Sequence, residues 1–328
     1  MAGFGPTNTY ETYDVEGMRE DLGPVIFNID PTDAPVMSAI ARGTANQITH
    51  EWQTDTLDAA AFNRVDEGNV SAFDAVVKTE RPKNYLQISE KTLSLSGTLQ
   101  SVVLAGRSNE LGYQLARLAK SLKRDCEFTI SRNQAADAGS GDGATQRALA
   151  SYECWIRSAG SPGGNANRDA TTGADATFVA GSPTTAPTDS SATRALQESH
   201  LQSVLQSCWQ QGGDVNLIVA GPYNKRQISG FAGNSTRFDI GEDQRLTASI
   251  SVYISDYGEH RIVASRFSRD QTVLCMDTMY WSMNFLRPFR EIPLAKSGDS
   301  DQHMMNVEYT LCAYNSRSSG AVCDLTTA

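Results

Sequence analysis

The strongest hydrophobic periodicity in the chain lies between residues 107 and 133. Leucines recur there at spacings of four, three and four, which places them on one stripe of an α-helix. The stripe consists of Leu111, Leu115, Leu118 and Leu122. At 1.5 Å per residue, a helix over residues 107–133 would be about 40 Å long. The pattern therefore predicts one long helix with an apolar face.

Shorter segments alternate between apolar and polar residues, or run apolar throughout, as strands do. Strands are predicted over residues 46–55, 84–96, 215–220, 247–255 and 260–265, and short apolar strands follow from residue 272 to the end. Two further helices are predicted, one from near Thr193 to Gly212-Gly213 and one over Tyr223–Phe231. One long helix with strands spread along the chain makes the predicted fold class α+β.

A short helix is predicted before the first strand. The stretch Asp30-Pro-Thr-Asp-Ala-Pro-Val-Met-Ser-Ala-Ile40 is typical of a turn followed by a helix, because Pro35 is tolerated in a first helical turn. Thr32 is the predicted N-cap, and Arg42-Gly43 is predicted to end the helix. Val36, Met37 and Ile40 would share its apolar face.

Two stretches have no hydrophobic pattern from which to build a core. Residues 56–83 are polar and charged and lie between the predicted strands at 46–55 and 84–96. The simplest interpretation is a long two-stranded loop that projects from the body. Residues 158–191 are rich in Gly, Ala, Ser, Thr, Asp and Pro, and are predicted to form a surface insertion.

The net charge of the chain is concentrated at its N-terminal end. Residues 1–74 hold 13 acidic and 3 basic residues, a net charge of −10, whereas residues 75–328 hold 25 of each. The same acidic segment carries large apolar side chains, namely Phe27, Ile29, Val36, Met37, Ile40, Trp52, Leu57 and Phe62. Since the segment has no long element of its own, these side chains must be buried against the rest of the chain or against another copy of it.

The predicted long helix offers a basic surface to this acidic segment. Its charged residues are mainly basic, with Arg107, Arg117, Lys120, Lys123, Arg124 and Arg132 against Glu110, Asp125 and Glu127 on the faces opposite the leucines. One interpretation is that acidic and basic surfaces meet across a subunit boundary, in which case raised salt should weaken assembly. The other is that the charged faces of the helix are simply solvated.

Composition argues against several classes of function. No run approaches the roughly 20 apolar residues of a membrane span, and residues 1–7 lack the layout of a secretion signal. The acidic balance argues against direct binding of DNA, which needs clustered Lys and Arg. The six cysteines form no Cys-x-x-Cys pair, so no metal site is predicted, and reduced, mostly buried thiols are expected.

No motif of a catalytic or cofactor-binding site is present. The sequence contains no G-x-S-x-G elbow, Walker loop or H-E-x-x-H motif. Gly139-Ser-Gly-Asp-Gly143 precedes no strand–helix unit, so it is interpreted as a linker. The prediction is therefore no catalytic, cofactor-binding or metal residue. A hydrolase that uses His50 or His260 with a nearby carboxylate is kept as the alternative from another class.

Several short stretches match one known family together, in order and spacing. Two lie near the start: Ile29-Asp-Pro-Thr-Asp-Ala-Pro-Val36 and His50-Glu-Trp-Gln-Thr-Asp-Thr-Leu57. A third, Leu118-Ala-Lys-Ser-Leu-Lys-Arg-Asp125, lies in the long helix. The rest are Tyr280-Trp281, Leu286-Arg-Pro-Phe-Arg290, Leu294-Ala-Lys-Ser-Gly-Asp299 and Val307-Glu-Tyr-Thr-Leu311. Together they resemble the major capsid proteins of tailed bacteriophages with the Hong Kong 97-like fold. The resemblance covers most of the chain and weakens at 158–191.

The resemblance implies a domain organisation. Residues 1–45 would be an N-terminal arm and 46–96 an extended loop that lies across a neighbouring subunit. Residues 97–192 and 271–328 would form the peripheral domain, with a spine helix over 107–133 and an insertion near 158–191. Residues 193–270 would form the axial domain, which packs around five-fold and six-fold centres.

The resemblance also implies a function in self-assembly. The chain would form the pentamers and hexamers of an icosahedral or prolate phage head, assembled in the host cytoplasm. It would enclose double-stranded DNA without reading its sequence. Portal, decoration and scaffolding proteins could be partners, and a scaffold is expected to be a separate protein because the arm motif begins within 30 residues of Met1. A bacterial nanocompartment shell of the same fold is the near alternative.

The residues expected to contact other subunits come from the arm, the loop and the basic helix. They are Phe27, Ile29, Val36, Met37, Ile40, Trp52, Leu57, Phe62, Asp66, Glu67, Arg117, Lys120 and Arg124.

Overall fold

The structure of the chain is a computed structural model. It describes residues 31–70, 73, 76, 78–104, 109–158, 164–168, 173–231, 251–296 and 298–327. The predicted contact residues Phe27 and Ile29 lie outside these ranges, as does the start of the strand predicted over 247–255. The fold class is α+β, as predicted, because the chain combines helices with sheets whose strands pair mainly antiparallel.

The helices and strands of the described chain have the following bounds. The α-helices are α1 (Pro35–Ala39), α2 (Gly97–Ser101), α3 (Glu110–Ser131), α4 (Tyr152–Trp155), α5 (Glu198–Gln210) and α6 (Pro222–Ser229). The strands are β1 (Ala41–Thr44), β2 (Thr49–Glu51), β3 (Lys83–Tyr85), β4 (Gln87–Ser96), β5 (Ala166–Asn167), β6 (Thr177–Val179), β7 (Ser182–Thr185), β8 (Leu217–Ala220), β9 (Val252–Ser255), β10 (Gly258–Ala264), β11 (Val273–Met276), β12 (Trp281–Pro293), β13 (Ser300–Ala313) and β14 (Gly320–Val322).

A four-stranded sheet in the order β1-β12-β13-β4 carries the long helix. The antiparallel pair β12–β13 is its centre, β4 runs antiparallel to β13, and β1 runs parallel to β12. The short β1 pairs only with residues 282–285, at the start of β12. Helix α3 packs on β4 and β13, and Tyr309 and Leu311 are fully buried between the layers.

A six-stranded sheet in the order β5-β14-β11-β8-β10-β9 forms the second part of the body. Helix α5 packs on β14 and β5, and α6 packs on β8 and β10. A separate apolar core lies here, built from Leu201, Leu205, Ile218 and Ile262 among others. The sheet crosses the predicted boundary of the axial domain at residue 270, since β5, β11 and β14 lie outside 193–270. The division into peripheral and axial domains stays a prediction.

The long helix has the predicted apolar face but a shorter extent. It begins at Glu110, where the side-chain oxygen of Asn109 accepts a hydrogen bond from the Gly112 backbone N–H at 3.0 Å. Its 22 residues correspond to about 33 Å. Leu122 is buried, whereas the three leucines before it are only partly buried. The apolar face therefore packs fully on the body only in its second half.

The structure corrects the predicted ends of the first helix. The N-cap of α1 is Ala34 rather than Thr32, and it makes no side-chain capping bond. Arg42 and Gly43 do not form a terminating turn, because they pair with Met283 and Asn284 of β12 as part of β1. Strand β12 therefore supplies the pairing for Arg42 and Gly43, which the prediction placed in a terminating turn.

Candidate assembly surface

The most exposed part of the body is the tip of the extended loop, defined here as residues 55–79. All of its described residues are exposed. Six of them are large and apolar: Leu57, Phe62, Val65, Val70, Phe73 and Val76. Leu57 is 98% exposed and Phe62 is 92% exposed. Soluble monomers rarely present so many exposed apolar side chains together, so the loop tip has the composition of a binding surface.

The loop tip also carries exposed charges. Asp66 and Glu67 lie in a turn closed by a hydrogen bond from the Asn69 N–H to the Asp66 carbonyl at 3.1 Å. The guanidinium of Arg64 lies 5.6 Å from the ring centroid of Phe62. Leu57, Phe62, Asp66 and Glu67 are therefore accessible, as intersubunit contacts must be, and their role in contacts stays a prediction.

The base of the loop is held by backbone pairing. Strand β2 pairs antiparallel with β3, and the Trp52 N–H donates to the Pro82 carbonyl at 3.1 Å. Thr54 and Glu80 exchange two backbone hydrogen bonds of 3.0 and 2.9 Å. An ion pair joins Glu51 to Arg81 across the two strands. The predicted strand over 46–55 is thus confined to β2 and one isolated bridge, and the two-stranded interpretation holds at the base.

Four predicted intersubunit contacts lie instead in the core of this chain. Val36, Met37 and Ile40 are buried in the same cluster as Leu122 of α3, because α1 packs directly on α3. Trp52 is 8% exposed. Its ring centroid lies 5.3 Å from that of Trp155 and 6.2 Å from that of Tyr314. The sequence left open whether these side chains are buried within the chain or against another copy of it. These four are buried within the chain, and the prediction that they contact a neighbouring subunit was wrong.

Helix α1 is attached to α3 by the carboxylate of Glu127. Oε1 of Glu127 accepts the Val36 N–H at 2.9 Å, and Oε2 accepts the Met37 N–H at 2.8 Å. Glu127 is 0% exposed, so its assignment to a charged outer face was also wrong. Burial raises the pKa of this carboxyl above 4.5, partly opposed by the two N–H donors and by the charge of Lys123. The carboxylate supplies the N-terminal cap that α1 lacks in its own sequence.

The basic residues of α3 lie in its middle turns, between Arg117 and Arg124. Arg117 and Lys120 are exposed, and Arg124 is half-buried. The acidic arm residue Asp33 makes a solvent-exposed ion pair with Arg266 at 3.8 Å. Such an exposed pair contributes little to stability. Contact between acidic segments and this basic face across subunits stays a prediction for Arg117, Lys120 and Arg124.

The two histidines named in the hydrolase alternative make hydrogen bonds to uncharged groups. His50 Nε2 lies 3.0 Å from the side-chain nitrogen of Asn284. His260, 1% exposed, lies with Nδ1 2.5 Å from the Val215 carbonyl and Nε2 2.6 Å from the Ser255 hydroxyl. Since a carbonyl only accepts, Nδ1 carries the proton and Nε2 accepts from Ser255. In a catalytic triad a carboxylate accepts the Nδ1 proton, whereas here the Val215 carbonyl does. The two hydrogen bonds of His260 join Ser255, at the end of β9, to the segment that leads into β8.

The described residues offer few other candidates for chemistry. In the ranges given above, no group of three or more His, Cys, Asp or Glu residues is placed to hold a metal ion. All six cysteines are free and buried, as predicted. Within the same ranges, none of the helices combines the length and the hydrophobicity that a membrane span needs.

The buried state of His260 predicts a pH dependence of stability. Burial lowers its pKa below 6.5. The unfolded chain therefore binds the proton more readily, and this group's contribution to stability is lost as the pH falls below 6.5. His50 and His200 act in the same direction, because burial also lowers their pKa values. Urea unfolding measures the free energy of unfolding between pH 7.5 and 5.5, and this free energy should fall less for His260→Asn than for the wild type. An equal fall in both proteins would contradict a contribution of buried His260 to the pH dependence.

The comparison with protein families decides which proteins this chain is related to. The model of the SU10 major capsid protein family matches residues 5–326. The chain belongs to this family. It is therefore a bacteriophage major capsid protein by family, a component of the virion, and the family's role is structural.

Relatives of this SU10 family member are also capsid proteins. It is 23% identical over 345 residues to the major capsid protein of Escherichia phage Phieco32, covering 95% of this chain and 96% of the relative. The capsid protein of cyanophage A-1(L) matches with a TM-score of 0.67 at 11% identity, over 97% and 99% of the two chains. The capsid of the native GTA particle matches with a TM-score of 0.61 at 10% identity, over 96% of this chain and 98% of the other. These likenesses confirm the Hong Kong 97-like fold.

Sequence reasoning missed several residues that matter for a member of the SU10 family. Val65, Val70, Phe73 and Val76 lie within a stretch interpreted only as polar and charged, although their near-regular spacing could have indicated an apolar face. Glu127 carried no such signal. A single glutamate within a basic helix is equally typical of an exposed position, and its burial depends on backbone groups 90 and 91 positions away.

Proposed function

We propose that this chain forms the shell of a phage head by assembling into pentamers and hexamers through its extended loop. The observation that carries the proposal is the loop tip, whose six large apolar side chains are all exposed in the single chain. Membership of a major capsid protein family supports another copy of the chain as the partner, since shells are built from symmetric repetition of one contact.

Burial of the loop tip would supply much of the association energy. A large apolar side chain contributes about 1.5–3 kcal/mol when fully buried, so six would contribute on the order of 10 kcal/mol before the cost of ordering the loop. The exposed Asp66 and Glu67 would select among orientations of the neighbour rather than add affinity, because charged rims mainly affect encounter and register. Basic Arg117 and Lys120 on α3 have the complementary sign.

The remaining parts of the proposal follow from the same role. The shell would enclose double-stranded DNA without reading its sequence, and would be assembled in the host cytoplasm with scaffolding, portal and decoration proteins as partners. The domain organisation proposed is that of the arm, extended loop, peripheral and axial domains given above. No catalytic step is part of this function. A nanocompartment shell is the weaker alternative, because the relatives reported above are phage capsids.

Negative-stain microscopy of the purified chain tests the proposal. Uniform closed shells tens of nanometres across are expected, alone or with a co-expressed scaffold. A monodisperse monomer under all conditions would contradict it. Truncations should stop before residue 31, because α1 and β1 belong to the chain's own fold and deleting residues 1–45 would unfold it. A Δ1–30 variant separates the arm from the body without removing any described residue.

A further inference from the structure

The β6–β7 hairpin of the insertion lies against the base of the extended loop. The Gly181 carbonyl at its tip accepts the Lys83 N–H at 3.0 Å. The Cα of Gly181 approaches the Arg81 carbonyl so closely that a Cβ atom there would overlap the oxygen, and would lie 3.3 Å from Cα of Pro82. The hairpin therefore contacts the returning strand of the loop, backbone to backbone, where that strand enters the body.

The tip of this hairpin is shaped for that approach. Its two central residues, Ala180 and Gly181, have φ values of 48° and 83°, as a type I′ turn requires. Such turns match the twist of the paired strands, so the hairpin presents its tip in one orientation. Gly181 meets two demands at once, a positive φ and the absence of a Cβ against Arg81.

The same hairpin reaches the outgoing strand through aromatic rings. Phe178 lies with its ring centroid 5.8 Å from that of Trp155, which in turn lies 5.3 Å from that of Trp52. The Arg157 guanidinium lies 4.0 Å from the centroid of Phe178 and fixes that ring further. Trp52 directly follows β2, the outgoing strand of the loop base. Both strands of the loop base are thus in contact with the insertion, one directly and one through Trp155.

The hairpin is itself fixed to the body. The Pro183 carbonyl accepts the Ala136 N–H at 2.8 Å, and Ser182 and Pro183 are buried. Beyond the hairpin, the Pro187 carbonyl accepts the side-chain amide of Asn133 at 2.6 Å. These contacts place the hairpin on the segment that follows α3. A support attached to the body on one side and to the loop base on the other can hold the loop at a set angle.

We propose that the β6–β7 hairpin is a brace that sets the direction in which the extended loop leaves the body, with Gly181 as the positioning residue. The described residues beyond the base, from 55 to 79, are exposed, so their direction is determined at the base. The consequence for shell assembly rests on the proposed function, because a loop that leaves at the wrong angle cannot place its apolar side chains on a neighbour.

The test measures the loop direction in the unassembled chain with Gly181→Ala. Spin labels are attached at Asp58→Cys, on the loop, and at Gln206→Cys, on the exposed side of α5. The native thiols stay unlabelled because they are buried, and burial raises the pKa of Cys126, for example, to about 12. Asp58 lies at most about 20 Å from Trp52 along the chain. A change in the angle at which the loop leaves its base therefore displaces the label in proportion to its distance from the base.

The matched control is Gly143→Ala. Gly143 has the same φ of 83° but no atom near the Cβ position, so it carries the same backbone penalty without the contact to Arg81. We expect the Gly181→Ala distance distribution to move or broaden by several ångströms, with the control unchanged. Equal distributions for the two variants would overturn the brace.

A second pair of variants covers the case in which Gly181→Ala does not fold. Phe178→Ala removes the aromatic contact to Trp155, and Val179→Ala truncates an exposed neighbour on the same strand. Phe178→Ala should broaden the distribution and Val179→Ala should not, and any other result counts against the brace. If Gly181→Ala redirects the loop yet shells form normally, the brace stands and the assembly role proposed for the loop fails.

Discussion

Replacing Leu57 and Phe62 together with serine should abolish shell assembly while leaving the folded chain intact. Both side chains are almost fully exposed on the loop tip, so their loss removes no buried contact within the chain, only the exposed contact of Phe62 with Arg64. If a neighbour buries them, the loss per contact is about 3–6 kcal/mol, which raises the concentration needed for assembly by more than about 100-fold. Light scattering and microscopy measure assembly, and thermal unfolding of the unassembled chain measures the fold.

The control for this variant lies in the same loop. Ala59→Ser with Ala61→Ser introduces the same two hydroxyls without removing a large apolar group. It should assemble at close to the wild-type concentration. Assembly of the Leu57→Ser/Phe62→Ser variant at the concentration of this control would show that the loop tip is not buried in the shell.

Replacing Glu127 with alanine should give the largest loss of stability expected here for one substitution. It leaves the backbone N–H groups of Val36 and Met37 buried without acceptors, each at a cost of about 1–3 kcal/mol. We expect the free energy of unfolding to fall by about 2–5 kcal/mol, with α1 released from α3. Hydrogen exchange at Val36 and Met37 reports the release, and urea unfolding reports the total.

Two further variants make this result specific. Glu127→Gln keeps one carbonyl oxygen as an acceptor but brings an amide donor towards the second N–H group, so an intermediate loss is expected. Glu90→Ala removes an exposed glutamate from β4 and should change stability by no more than about 0.5 kcal/mol. If Glu127→Ala lowers the free energy of unfolding no more than Glu90→Ala does, the carboxylate of Glu127 does not hold α1 in place.

The sequence was informative wherever a local pattern decides the structure. The leucine stripe predicted α3, and the absence of any pattern between two strands predicted the projecting loop. Two of the predicted strands, over 247–255 and 260–265, correspond to the adjacent β9 and β10. These features depend on neighbours within a few residues, which a periodicity records directly.

What the sequence did not reveal depends on distant partners. The burial of Val36 follows from Glu127, 91 positions away, and no spacing near either residue records that contact. Two-residue and three-residue strands such as β5 and β14 are defined by the strands beside them rather than by their own composition. The same holds for Gly181, whose need for glycine follows from the Arg81 carbonyl.

The short β1 has a consequence for how this chain avoids forming fibres. Strand β1 pairs with β12 only as far as residue 285. The outer edge of β12 beyond that residue is not covered by β1, so any protection against pairing must come from its own residues. That stretch holds Arg287, Pro288, Arg290 and Pro293, and its pairing register with β13 is interrupted on both sides of Arg287. Prolines, charges and bulges each discourage a second strand from adding to an edge. A chain made in many copies within one cell would thus be kept from stacking edge to edge, which leaves closed association as the accessible route.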